Sequence, residues 1–159
     1  MKRTKSIFRL SAVALITSSL ALASCGKKDK DKEGGKGKDK NTVTFKKGGV
    51  EIKSGESVKL PDDWPDDIPT PADSTIKTSQ KLGALGTNLI IHSKQSGLDV
   101  ISYYKEKMPA DGWEESSSLD VPNGGIVTFS KGDRSVTINA ASSPDNPTTV
   151  SIQLTTKKQ

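Results

Sequence analysis

The chain has 159 residues and a formal net charge of +5, a balance that at face value suggests nucleic acid or an acidic surface as partner. The charge is unevenly placed: four basic residues lie before position 10, residues 26–42 carry seven Lys against four acids, and residues 43–159 hold 13 basic against 15 acidic side chains. The main body is therefore near −2, which excludes nucleic acid as the expected partner, because a domain that grips phosphate backbones must itself be basic.

Lys2, Arg3, Lys5 and Arg9 form a positive N-terminal region, followed by the uncharged apolar stretch Leu10 to Leu22 and then small residues. As a helix this stretch reaches only about 20 Å, short of the roughly 20 residues that a hydrocarbon span requires. The segment fits a signal peptide and not a permanent span. Its end, Leu22-Ala23-Ser24-Cys25, resembles the lipobox of bacterial lipoproteins. That resemblance implies removal of residues 1–24 and attachment of diacylglycerol to Cys25, whose two acyl chains would hold the protein on a membrane without a second anchor. It places the protein extracytoplasmically in a bacterial cell envelope. Gly26 stands where an Asp would favour retention at the inner membrane, so the outer membrane is favoured in a host with two. Cys25 is the only cysteine, so no intramolecular disulfide can form; the competing reading is a free thiol.

Residues 25–42 are expected to be the lipidated cysteine and a charged tether, since GKKDKDKEGGKGKDKNT offers no apolar side chain to bury. A flexible coil of this length reaches about 20–25 Å. Its lysines could also grip anionic lipid, an effect that the interspersed Asp and Glu weaken. Glu33 to Gly37 is not a phosphate loop, for no strand precedes it and no Gly-Lys-Ser/Thr ending follows.

Residues 43–60 are expected to form a small β element. Val43 to Lys47 and Val50 to Lys53 alternate around Gly48-Gly49, which supplies the positive φ of a tight hairpin turn, and Ser57 to Leu60 is a third short run. Residues 61–73 read as a strap, because four prolines from Pro61 to Pro71 forbid helix interior and central strand. Trp64 and Ile68 are expected to plug apolar pockets on a sheet. Asp62, Asp63, Asp66 and Asp67 could hold a hard cation such as calcium, but their spacing is not that of a calcium loop, and Asx turns beside proline account for them more simply.

Residues 74–159 read β, β, α, β, β, β. Strands are expected at Ser74 to Leu82 and Asn88 to Lys94; a helix begins at the capping pair Ser96 and Asp99 and runs to about Met108, with Val100, Ile101, Tyr104 and Met108 on one stripe. Pro109 and Gly112 are expected to end it, and Trp113 to fold back over its terminus. Gly125 to Lys131, Arg134 to Ala140 and Thr148 to Thr156 alternate at period two, with Trp113 to Val121 as a weaker strand. The fold expected is α+β: a two-layer domain with one helix on an antiparallel sheet of about four to six strands, preceded by the hairpin and the strap.

The strap pattern Pro-x-x-Trp-Pro-x-Asp-Ile-Pro-x-Pro at Pro61 to Pro71, with Tyr103-Tyr104, Met108 and Gly112-Trp113 at the helix end, resembles a loose group of small bacterial lipoproteins. In that group Leu stands where this chain has Met108. The resemblance spans about residues 43–156 and its motifs are structural; it implies the fold, and the group has no established activity or catalytic residues to carry over.

For catalysis, the sole histidine, His92, sits in a strand run and reads as a half-exposed strand residue. A zinc site would want several His or Cys. Glu114 and Glu115 are adjacent in a strand-like stretch and point to opposite faces. No catalytic residue, metal or cofactor is therefore expected. Two functions compete. One is a non-catalytic interaction module for an envelope protein, acting through the strap or an exposed sheet edge. Trp64 and Trp113 are its candidate contacts, although burial in the core is the favoured reading of each. The other is a carrier of a small apolar or lipidic ligand in a cleft between helix and sheet.

Overall fold

The computed structural model describes residues 41–157; Cys25, the lipobox residues Leu22, Ala23 and Ser24, and the tether up to residue 40 lie outside them. The strands are β1 Thr42–Lys47, β2 Val50–Gly55, β3 Ser74–Leu82 and β4 Thr87–Ser93; α1 spans Gly97–Ala110; then come β5 Glu114–Val121, β6 Gly124–Lys131, β7 Arg134–Ser143 and β8 Asn146–Thr156. All eight strands form one sheet in the order β1-β2-β3-β4-β8-β7-β6-β5, and every pair is antiparallel.

That order explains the helix. The chain leaves β4 in the middle of the sheet and must reach β5 at its far edge, four strand spacings or about 19 Å away. The 14 residues of α1 rise about 21 Å, so the crossover is one helix laid across β8, β7 and β6. Ser96 caps it as expected, accepting from the Asp99 N–H at 3.1 Å, while its own hydroxyl donates to the Asp99 carboxylate at 2.7 Å. The C-terminus lies two residues later than expected: Pro109 is accommodated in the last turn, and Asp111 closes the helix. Gly112, at φ +80°, then reverses the chain, and the Trp113 N–H bonds back to the Met108 carbonyl.

The stripe Val100, Ile101, Tyr104 and Met108 is buried against the alternating residues Val127, Phe129, Val136, Ile138, Val150 and Ile152. Beside the helix, strap residues Trp64 and Ile68 join the same core with Leu89 and Ile91 of β4. This is the plugging role expected of them.

The sheet is larger than four to six strands. The hairpin turns at Gly48 and Gly49 as expected, at φ +58° and +80°, but it is not a separate element covering the domain: β2 pairs edge-on with β3, Lys53 opposite Ser79. Trp113 to Val121 supplies a full edge strand from residue 114, and Ser57 to Leu60 is no strand, although Val58 is buried and its N–H bonds the Ile76 carbonyl.

A cleft under the proline strap

The strap is held at two points of different strength. Toward its C-terminal end, Asp67 sits between β6 and β7: its carboxylate accepts two bonds from the Arg134 guanidinium, at 3.0 and 2.6 Å, and one from Lys131 Nζ at 2.7 Å. The Arg134 bond foremost, with Lys131 adding to it, holds the Asp67 carboxyl down to about 2 against an opposing push from burial. Arg134 lies over the Trp113 ring at 4.8 Å, and the Trp113 Nε1–H donates to the Asp67 carbonyl at 2.9 Å. Tyr103 ties the next turn by donating from its hydroxyl to the Thr70 carbonyl at 3.2 Å.

Toward the strap's start the polar hold is one ion pair, Lys81 Nζ to Asp63 Oδ1 at 2.6 Å, beside the buried Pro61 and Trp64. This bond lowers the Asp63 carboxyl and raises the Lys81 ammonium from their usual values. Beside these two ion pairs a cleft of about 510 Å³ opens between the strap and the strand ends. Asp63 and Pro65 form its strap wall; Lys81, Thr87 and Leu154 rise from β3, β4 and β8; Arg134 stands on β7. The turn residues Gly49, Gly83, Ala84 and Gly86 complete the rim. Gly86 is required at its place: its φ is +95°, and a Cβ there would run into the Leu154 carbonyl. A volume of this size suits a small molecule, and the lining joins apolar Leu154, Pro65 and Ala84 to one cation on either side.

Of the two readings of the tryptophans, contact or core, the structure places both in the interior. Trp113 is 2% exposed and Trp64 9%, and the Trp64 Nε1–H bonds the Ile68 carbonyl at 3.1 Å, so neither offers an open surface. Both have the hydrophobic body and single polar tip that let an indole anchor a strap from within. Asp63 and Asp67 are directed to different cations and do not converge, and among the described residues no three His, Cys, Asp or Glu side chains gather to hold a metal. His92 lies half-buried on β4; Glu114 and Glu115 pair with Ser130 and Phe129, on opposite faces of the sheet.

In the seam between helix and sheet, expected as the ligand cleft of a carrier, Val100, Tyr104, Met108, Phe129, Val136 and Ile152 are fully buried and closed to solvent. An open volume lies beside the seam, on the same face of the sheet, under the strap. Sequence reasoning missed this cleft, since its walls come from the strap and from turns and strand ends far apart in the chain.

One helix crossing one antiparallel sheet, with an open cleft at the end that the helix leaves uncovered, makes this an α+β domain. A family model described as START domain-like matches residues 74–156, more than half of the chain, and the chain belongs to that family. The match runs from the first residue of β3 to the last of β8, so the hairpin and the strap lie outside it. No curated protein and no solved structure matches the chain significantly. Family membership suggests a ligand-binding module.

Proposed function

We propose that this protein is a lipid-anchored, extracytoplasmic module of the bacterial cell envelope, held by Cys25, that binds a small, partly apolar ligand in the strap cleft without transforming it. The observation that carries the binding role is the 510 Å³ opening on the helix-bearing face, beside a seam whose side chains are closed to solvent. The START domain-like match supports the same reading. Leu154 and Pro65 would meet the apolar part of the ligand, and Lys81 or Arg134 a polar end. The direct test is native mass spectrometry of the protein extracted from its own membranes, beside Ala84→Trp, which places an indole in the cleft mouth. A retained small molecule in the wild type that is lost from Ala84→Trp supports the reading; identical spectra without bound mass oppose it.

A second reading, recruitment of an envelope protein by an added strand, is favoured by β1. This edge strand presents Val43 at 68% and Phe45 at 47% exposure and has no partner on its outer side among the described residues. By contrast, the other edge, β5, carries Glu114, Glu115 and Asp120 and a register shift between Glu115 and Ser117, features that discourage pairing.

A further inference from the structure

The floor of the strap cleft is graded along one row of the sheet. Lys81 of β3, Thr87 of β4 and Leu154 of β8 stand opposite one another in register, so an ammonium, a hydroxyl and an apolar side chain follow across two strand spacings, about 10 Å. Beyond Leu154 the row enters the closed core at Val136. On its other side Lys81 is opposite Glu51 of β2, whose carboxylate is already shared by Lys46 and Lys53 at 3.1 and 3.0 Å. The bonded partner of Lys81 is Asp63, which comes from the strap and belongs to the cleft wall.

Resting on the ligand-binding reading of the cleft, we propose that Lys81 selects an anionic head group: a small amphiphile with a carboxylate or phosphate takes the place of Asp63 on the Lys81 ammonium and lays its apolar part over Leu154. Asp63 shows the fit that such a head needs, since its carboxylate already bonds the ammonium at 2.6 Å at the cleft wall. The graded row then matches the ligand end to end, with Thr87 placed between the charge and the tail.

The two members of the pair are unequally placed, and this sets the sign of the ligand. The Asp63 side chain is 68% exposed and that of Lys81 33%. An anionic ligand displaces Asp63, which water then solvates at little cost. A cationic ligand would instead take Asp63 and leave the more enclosed Lys81 facing Glu51, whose charge Lys46 and Lys53 already take up. The far wall has the same bias, for Lys131 and Arg134 share the one carboxylate of Asp67. Held by both cations, Asp67 is the less exchangeable of the two strap acids. Asp62 and Asp133 act on Lys81 and Arg134 through space, from exposed positions where water screens them.

The test titrates the full chain with hexanoate, hexyl phosphate, hexanol and hexyltrimethylammonium, followed by methyl and amide NMR. The expected result is saturable shifts at Lys81, Thr87 and Leu154 with hexanoate or hexyl phosphate, at a Kd at least about tenfold below that of hexanol. Lys81→Gln should weaken the anionic probe at least about fivefold and leave hexanol within about twofold, and Lys81→Arg should keep the preference. Asp63→Asn, which removes the internal competitor, should tighten the anionic probe at least about threefold. Hexanol or hexyltrimethylammonium binding as tightly as the anions, or weaker anion binding in Asp63→Asn, would overturn the proposal. If Ala84→Trp then abolishes the Leu154 shifts of whichever probe binds, the ligand-binding reading of the cleft stands without it. No shift at Leu154 from any of the four probes would overturn both.

Discussion

Asp67 and Arg134, 67 residues apart in the chain, meet in a two-point ion pair that fastens the strap to β7. Lys131 joins the same carboxylate, and Trp113 lies beneath the cations while holding the Asp67 carbonyl. The strap is thus integral to the fold here, while the ion pair of Asp63 with Lys81 is the more exposed of its two charged holds.

Asp67→Asn should cost about 2 kcal/mol of unfolding free energy in a urea titration, since it leaves two half-buried cations without their carboxylate. Asp63→Asn, which breaks an exposed pair, should cost less than about 1 kcal/mol. Equal losses would contradict the division of the strap into a firm and a light hold.

The same carboxylate sets a pH dependence. Asp67 is held at about 2 in the folded protein, below its usual 3.8, so its contribution is present above about pH 4 and is lost as pH falls toward 2. Because its side chain is 23% exposed, solvent screening limits the effect to at most about 2 kcal/mol. Urea midpoints of wild type and Asp67→Asn at pH 5, 3.5 and 2.5 should converge as the pH is lowered; a constant gap would assign the stabilisation to another group.

Tyr104 is fully buried beneath the helix, and its hydroxyl has no hydrogen-bond partner among the described residues; burial pushes its ionisation far up. Tyr104→Phe removes the unsatisfied oxygen and keeps the ring, so it should leave stability unchanged or raise it by up to about 1 kcal/mol. A loss greater than that would reveal a bound partner for the hydroxyl.

Trp113→Phe should cost about 1–3 kcal/mol, because it takes away the Nε1 bond to the strap and the surface under Arg134, and leaves a gap in a closed core. Thermal unfolding reads the loss. The double variant with Asp67→Asn should lose less than the sum, since both residues act on one strap contact.

The anchor has its own readout. Wild type should gain a diacylglyceryl mass and pellet with membranes, and Cys25→Ala should do neither; like behaviour of the two chains would remove the anchor from the account.

How far the sequence showed this architecture depends on distance along the chain. The Ser96–Asp99 cap, the turn at Gly48-Gly49 and the period-two runs of β6, β7 and β8 are local patterns, and each is found where it was read. The attachment of β2 to β3 was not legible, for Lys53 meets Ser79 across the whole strap and neither residue advertises a partner. β5 was only faintly legible, because an edge strand exposed along its whole length needs no alternation. The strap's aspartates suggested turns or a cation, and their real partners, Arg134, Lys131 and Lys81, are ordinary surface residues until the fold assembles them. For the same reason no motif marked the cleft: its lining comes from the strap, two turns and the ends of four strands.

The central claim, that a ligand enters beneath the strap, is tested most directly by methyl and amide NMR of the labelled protein titrated with a lipid extract of its own membranes. The account expects saturable shifts at Leu154, Ala84 and Thr87, with helix residues Val100 and Tyr104 unmoved. Shifts centred on the helix seam, or none at the cleft at saturating extract, would contradict it.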